Sequence, residues 1–128
     1  MKVLIVDDEE MNCKAIQRLL RLEDYEVVYF TSPLDALKEA EKNSFDIILL
    51  DILMPVMNGI ELCSNLRNIS HIKDVPIIIL SAKSDKQFKE DVMEKGANAY
   101  ILKPINSEEL LSKMKELIKG SKSDNPEK

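Results

Sequence analysis

The sequence predicts an α/β domain in which a five-stranded parallel sheet carries helices on both faces. Three observations lead there. Five short aliphatic runs recur along the chain, and they are nearly continuous in Val, Ile and Leu, as strands covered on both sides require. Between them lie segments of helical periodicity, so each strand is followed by a helix. Units of this length close into a parallel sheet through right-handed crossovers.

The first strand is read at Lys2–Val6, followed by a helix over about Glu10–Leu22 that places Ala15, Ile16, Leu19 and Leu20 on one side. The second strand, Glu26–Phe30, leads into a helix opened by Ser32-Pro33, a cap followed by proline at the first helical position. Asp35 adds a capping-box-like acid. The third strand, Asp46–Leu50, precedes a helix from Gly59 to about Arg67, which Asn58 is placed to cap. The fourth, Pro76–Leu80, precedes a helix over about Asp85–Lys95 that ends at Gly96, a left-handed stop. The fifth, Asn98–Leu102, precedes a helix from Asn106 or Ser107, with Glu108 and Glu109 in its first turn and an expected stop at Gly120. Residues 1–119 form the expected domain. The polar stretch 120–128 is expected to be a disordered tail or the start of a linker.

Composition narrows the class. The chain has 128 residues, 45% of them hydrophobic and 32% charged, a soluble globular balance for one domain. A formal charge of −5, with no basic block before the tail, argues against direct contact with nucleic acid. The longest apolar runs, such as Ile47–Leu50 and Ile77–Leu80, are far too short to span a membrane. The N-terminus enters a strand directly without a secretion leader, which places the expected compartment in the cytoplasm and reads as an N-terminal domain. Cys13 and Cys63 form no CxxC pair and read as buried thiols. His71 has no companion at ligand spacing and reads as a solvated loop residue.

In a doubly wound sheet, ligands bind beyond the carboxyl ends of the strands. Strand one ends at Asp7-Asp8, strand three at Asp51, strand four at Ser81 and strand five at Lys103-Pro104. Either Asp7 or Asp8 alone could be a helix cap, and acids after strands are often merely solvated. Three carboxylates, a hydroxyl and a lysine on one rim are harder to explain that way. Packed carboxylates repel and call for a cation, and an oxygen set with room for water suits Mg²⁺ better than a closed Ca²⁺ cage. Three carboxylates, a divalent ion and a lysine sum to zero charge. Such a site can take a phosphoryl group onto an aspartate, with the cation and Lys103 neutralising its oxygens. Ser81 supplies a short hydroxyl donor. Phosphorylation would change the site's charge by about −1, which is the signal of a switch.

The stretches Val6-Asp7-Asp8-Glu9, Asp51-x-x-Met54-Pro55-x-Met57-x-Gly59, Ser81-Ala82, Gly96-Ala97 and Lys103-Pro104 resemble, in order and spacing over about residues 2–119, the response-regulator receiver domains of two-component signalling, the CheY-like family. The resemblance implies a flavodoxin-like sheet of order 2-1-3-4-5 with five helices. It implies Asp51 as phosphoacceptor and cation ligand, Asp8 as direct ligand, Asp7 acting mainly through cation-bound water, and the Leu53 carbonyl completing the protein ligands of Mg²⁺. Lys103 binds the phosphoryl group, Ser81 is the switch hydroxyl and Tyr100 the rotating aromatic, although tyrosine also favours strands for plain reasons. Leu53 and Lys83 match the positions that tune phosphoryl lifetime. The Lys103-Pro104 peptide matches one that is usually cis. Asn58 replaces an aspartate that many relatives carry before the glycine.

The implied function is a phosphorylation-dependent signalling switch, not an enzyme with turnover on a foreign substrate. Its implied partners are a sensor histidine kinase or histidine phosphotransfer protein, a downstream effector, and a second copy of the chain, read through the face of helix four, strand five and helix five. The alternative is a pseudo-receiver, an interaction module without the chemistry. A haloacid-dehalogenase-type phosphohydrolase needs Asp-x-Asp after strand one, and here Asp7-Asp8-Glu9 misplaces the second acid. A flavin or nucleotide binder needs a phosphate loop where this chain has Asp-Asp-Glu-Glu. The Glu9-Glu10 pair reads most simply as support for the first helix N-terminus, with Glu9 near enough to influence the cation's field.

Overall fold

The computed structural model describes residues 1–51, 58–82 and 86–122, with backbone alone for 121 and 122. Its strands are β1 (Lys2–Val6), β2 (Glu26–Phe30), β3 (Ile47–Asp51), β4 (Ile77–Ser81) and β5 (Ala99–Leu102). The helices are α1 (Glu10–Arg21), α2 (Pro33–Lys42), α3 (Gly59–Arg67), α4 (Lys86–Glu94) and α5 (Ser107–Lys122), with one 3-10 turn at Ser70–Ile72. All strand pairs are parallel, in the order β2-β1-β3-β4-β5. The flavodoxin-like sheet is therefore observed.

Two apolar layers sandwich the sheet. Leu4, Val6, Ile48, Leu50, Ile77 and Ile79 point to one face, where α2, α3 and α4 supply Ala36, Ala40, Leu62, Cys63, Leu66 and Val92. Val3, Ile5, Ile47, Leu49, Ile78 and Leu80 point to the other, against Cys13, Ile16 and Leu20 of α1 and Leu110, Met114 and Ile118 of α5. Successive strand residues alternate faces and both faces are dry, which explains why β1, β3 and β4 read as unbroken apolar runs.

Local signals hold in most places. Ser32 Oγ accepts from the Asp35 N–H at 3.3 Å, and Asn58 with Glu61 forms a reciprocal capping box. Gly96 has φ +115°, a conformation that side chains disfavour. The buried stripe of α1 is Cys13, Ile16 and Leu20, with Leu19 at its margin; Ala15 is exposed, one helical step off the sheet. His71 is not a purely solvated loop residue, since its Nε2 lies 2.6 Å from the Ala40 carbonyl and tethers the 3-10 turn to α2. The expected stop of α5 at Gly120 is also corrected: the helix runs on to Lys122. Open space surrounds Gly120, and one helical glycine costs only about 1 kcal/mol against alanine, so the packed turns at Met114 and Ile118 carry the helix through it. Residues 123–128 of the expected tail lie outside the described residues.

Candidate functional site

The parallel sheet delivers its strand ends to one rim. β3 and β4 each run one residue further than the sequence predicts, so Asp51 and Ser81 are the last residues of their strands, held in the ladder. Asp7 follows β1 and is anchored by its N–H, which donates to the Phe30 carbonyl at 3.2 Å. The Lys103 N–H donates to the Ser81 carbonyl at 2.7 Å, fixing the lysine at the β5 end of the same rim, and the Lys103-Pro104 peptide is cis.

Burial separates the acids. Asp7 is 1% exposed and Asp51 8%, whereas Asp8 is open to solvent. One carboxylate oxygen from each of Asp7, Asp8 and Asp51 lies within 4.8 Å of the others. Lys103 Nζ stands 3.3 Å from Asp7 Oδ2 and 3.6 Å from Asp51 Oδ1, so one ammonium bridges the two buried acids. Asp7 is further held by the Glu9 N–H on Oδ1 at 2.9 Å and by Asn12 Nδ2 on Oδ2 at 3.4 Å. Beneath it, the buried Cys13 thiol donates to the Asp7 carbonyl at 3.4 Å. Burial foremost, and then the Asp7 charge, push that thiol up to about 12, which leaves it protonated and unreactive near neutral pH.

The donor set fits a hard divalent cation. Three carboxylates against one ammonium leave two negative charges within a small volume, and the exposed Asp8 side leaves room for water ligands. Such a group of acids without compensation would repel strongly at this depth.

The predicted residues thus divide. Asp7, Asp8, Asp51 and Lys103 come together, and Ser81 sits fully buried at the adjoining strand end. Tyr100 pairs with Ile79 across β4 and β5, is partly buried against the α4 side of the core, and lines a groove with Lys89, Leu102 and Glu109. Leu53 and Lys83 lie outside the described residues. Asn12 was missed by the sequence reading. Its position on the first turn of α1, three residues after Glu9, was the available signal, because residues at that spacing share a helix face.

The family model for the response regulator receiver domain matches residues 3–115. Response regulator ArlR of Staphylococcus saprophyticus is 37% identical over 124 residues, covering 97% of this chain and 55% of the relative. ArlR of Staphylococcus aureus is 36% identical over 118 residues, covering 92% and 52%. The chain therefore spans about half the length of these curated relatives. Among solved structures, the chemotaxis protein CheY4 of Vibrio cholerae superposes with a TM-score of 0.87 at 34% identity, over 91% of this chain and 97% of its own. A CheY-like receiver domain protein from Methanospirillum hungatei reaches 0.91 at 28% identity, over 97% and 98%. The receiver domain of a sensor histidine kinase from Pseudomonas aeruginosa, solved with a magnesium ion coordinated in its active site cleft, scores 0.84 at 30% identity over 91% and 96%. With the sheet order, the acid rim and these matches in agreement, the chain belongs to the response-regulator receiver-domain family.

Proposed function

We propose that this domain is a phosphorylation-dependent signalling switch that accepts a phosphoryl group on Asp51 from a histidine kinase, a histidine phosphotransfer protein or a small phosphodonor. The observation that carries this reading is Lys103 Nζ bridging buried Asp7 and Asp51 at 3.3 and 3.6 Å, beside the group of three acids. An Asp51 carboxylate oxygen attacks phosphorus as the phosphorus–nitrogen bond to the donor imidazole breaks. The electron pair leaves with that nitrogen, which takes up a proton, and Asp51 becomes an acyl phosphate. Lys103 is placed to hold the arriving oxygens, because it already stands at the Asp51 carboxylate. Asp7, Asp8 and Asp51, with the Leu53 carbonyl as the family resemblance implies, would hold Mg²⁺. When bound, Mg²⁺ neutralises charge on the transferring group.

The output follows from position. Ser81 closes β4, and Tyr100 lies on the neighbouring strand against the α4 side of the core. Movement of the Ser81 hydroxyl toward phosphate opens room for the Tyr100 ring and alters the α4–β5–α5 face, where effector proteins or a second copy of the chain dock. Leu53 and Lys83 tune how long the phosphoryl state lasts. Among the described residues no helix is long and apolar enough to cross a membrane.

The test is phosphorylation of the chain with phosphoramidate or acetyl phosphate, with and without Mg²⁺, read by intact-mass spectrometry. Wild type gains one phosphate only with Mg²⁺, and Asp51→Asn gains none. An undiminished phosphate adduct on Asp51→Asn refutes the assignment.

A further inference from the structure

Glu9 occupies the N-cap position of α1, yet its side chain makes no capping hydrogen bond. It turns instead to Asn12, whose Nδ2 donates to Glu9 Oε1 at 2.8 Å and, over a longer reach, to Asp7 Oδ2 at 3.4 Å. A primary amide has two N–H donors, enough for the two carboxylates within reach of Asn12 Nδ2. The neighbouring Glu10 faces elsewhere, accepting from the Tyr29 hydroxyl at 3.0 Å and pairing with Lys14 at 3.8 Å. The acid pair at the head of α1 therefore splits. Glu10 joins the outer surface, and Glu9 is drawn toward the rim of acids.

Asp7 and Glu9 are tied twice, since the Glu9 N–H also donates to Asp7 Oδ1 at 2.9 Å. Glu9 nevertheless stays outside the trio whose carboxylate oxygens lie within 4.8 Å of one another. An untethered, exposed glutamate beside three acids would turn its charge toward water, because like charges repel and its side chain has rotamer freedom to gain. The Asn12 amide opposes that. It holds a fourth negative charge next to Asp7 while separating the two carboxylates with a donor. For a divalent cation held by the trio, that extra charge is attractive and only partly screened by solvent.

We propose that Asn12 is a positioning residue for the divalent-cation site, holding the Glu9 carboxylate beside Asp7 so that Glu9 strengthens cation binding from outside the ligand set. The inference rests on the reading that Asp7, Asp8 and Asp51 hold Mg²⁺.

The experiment titrates MgCl₂ into the full chain by isothermal calorimetry at pH 7, for wild type, Glu9→Gln, Asn12→Ala and the double variant, at low and high KCl. Each single change weakens Mg²⁺ binding by about three- to tenfold, below the usual effect of buried outer groups because Glu9 is exposed. The double variant binds within about twofold of Glu9→Gln, because Asn12 acts through Glu9. The gap between wild type and Glu9→Gln narrows as salt rises, which a purely structural role would not produce. Thermal melts without Mg²⁺ establish that each variant is folded, and Asn12→Gln replaces Asn12→Ala if that variant is not. Wild-type binding with unchanged affinity in either single variant, or losses that multiply in the double, overturns the inference alone. A wild type that takes up no Mg²⁺ overturns the cation-site reading as well, whereas labelling of Asp51 is scored separately by mass.

Discussion

Arg67 and Asn98 meet at the end of the sheet opposite the acids: Arg67 Nη2 donates to Asn98 Oδ1 at 2.7 Å, and the same oxygen accepts from the Ile77 N–H at 2.8 Å. The half-buried guanidinium also donates to the carbonyls of Gly96 at 2.7 and 3.0 Å, Val75 at 2.7 Å, Ile72 at 3.0 Å and Lys73 at 3.1 Å. One side chain at the end of α3 thus ties the end of α4 to the starts of β4 and β5. Burial strips water from the guanidinium, which lowers the arginine's affinity for its proton, while the carbonyls that accept from it hold the charged form in place.

Loss of that fork leaves several carbonyls short of donors. Arg67→Ala should lower unfolding free energy by about 2–4 kcal/mol, and Arg67→Lys should recover only part, because an ammonium cannot match the planar set of donors. Gly96→Ala should cost about 1–3 kcal/mol, since its φ of +115° disfavours a side chain and a Cβ there meets Arg67 Cγ at 2.8 Å. Urea unfolding followed by circular dichroism checks all three. A change below about 0.5 kcal/mol in Arg67→Ala contradicts the account.

The buried Cys13 thiol makes stability fall in alkali. Burial raises its folded value from 9.0 to about 12, ahead of the contribution from the Asp7 charge. The unfolded chain therefore binds fewer protons than the folded one between those values. Its contribution to stability is fully present below pH 9 and declines above it, with a slope approaching 1.4 kcal/mol per pH unit. Urea midpoints for wild type should fall more steeply between pH 8.5 and about 10.5 than those of Cys13→Ala. Parallel slopes would refute this. In the folded state Cys13 should also resist iodoacetamide at pH 8.

Bound Mg²⁺ should raise the melting temperature, because only the folded state gathers the three acids. At tenfold excess over its Kd the gain is about 1.4 kcal/mol, or several degrees for a domain of this size. Asp8→Asn should be at least as stable as wild type without the ion, since one repelling charge is gone, and should lose most of the Mg²⁺-dependent rise. Differential scanning fluorimetry with Mg²⁺ and with EDTA reads both effects. A variant that keeps the full rise removes Asp8 from the ligand set.

The phosphoryl state should be comparatively long-lived. Leu53 cannot hydrogen-bond an attacking water, and Lys83 while charged has no acceptor capacity to take its proton. Leu53→Asn, Lys83→Glu and the double variant should dephosphorylate faster, each tenfold corresponding to about 1.4 kcal/mol of barrier. Decay of phosphorylated protein after donor removal, followed by mass, provides the measurement. Equal or slower decay in all three variants means these side chains do not govern water access.

Much of the architecture is legible in the sequence itself. Near-continuous runs such as Ile47–Leu50 mark strands dry on both faces, and Ser32-Pro33, Asn58 and Gly96 mark helix ends through backbone chemistry that acts locally. The acids at the ends of β1 and β3 and the lysine after β5 could be assigned to one rim because a parallel sheet puts all its carboxyl ends on one side. The order of the strands came only from the ordered motifs, since periodicity is silent on which strands are neighbours.

Position along the chain alone determined that this is a five-unit α/β domain with an acidic rim, because strand ends, caps and apolar periods are encoded within a few residues of one another. Tertiary structure alone decided what touches what. It placed Lys103 Nζ between Asp7 and Asp51, ninety-six and fifty-two residues away, and it turned Glu9 to Asn12 while sending Glu10 to Tyr29 and Lys14. It drew His71 onto the carbonyls at the end of α2 and carried α5 through Gly120, where packing of Met114 and Ile118 outweighs a local stop signal. The physical reason is the same throughout: backbone propensity is a local property worth about 1 kcal/mol per residue, whereas side-chain pairing and core packing depend on segments the chain brings together only on folding.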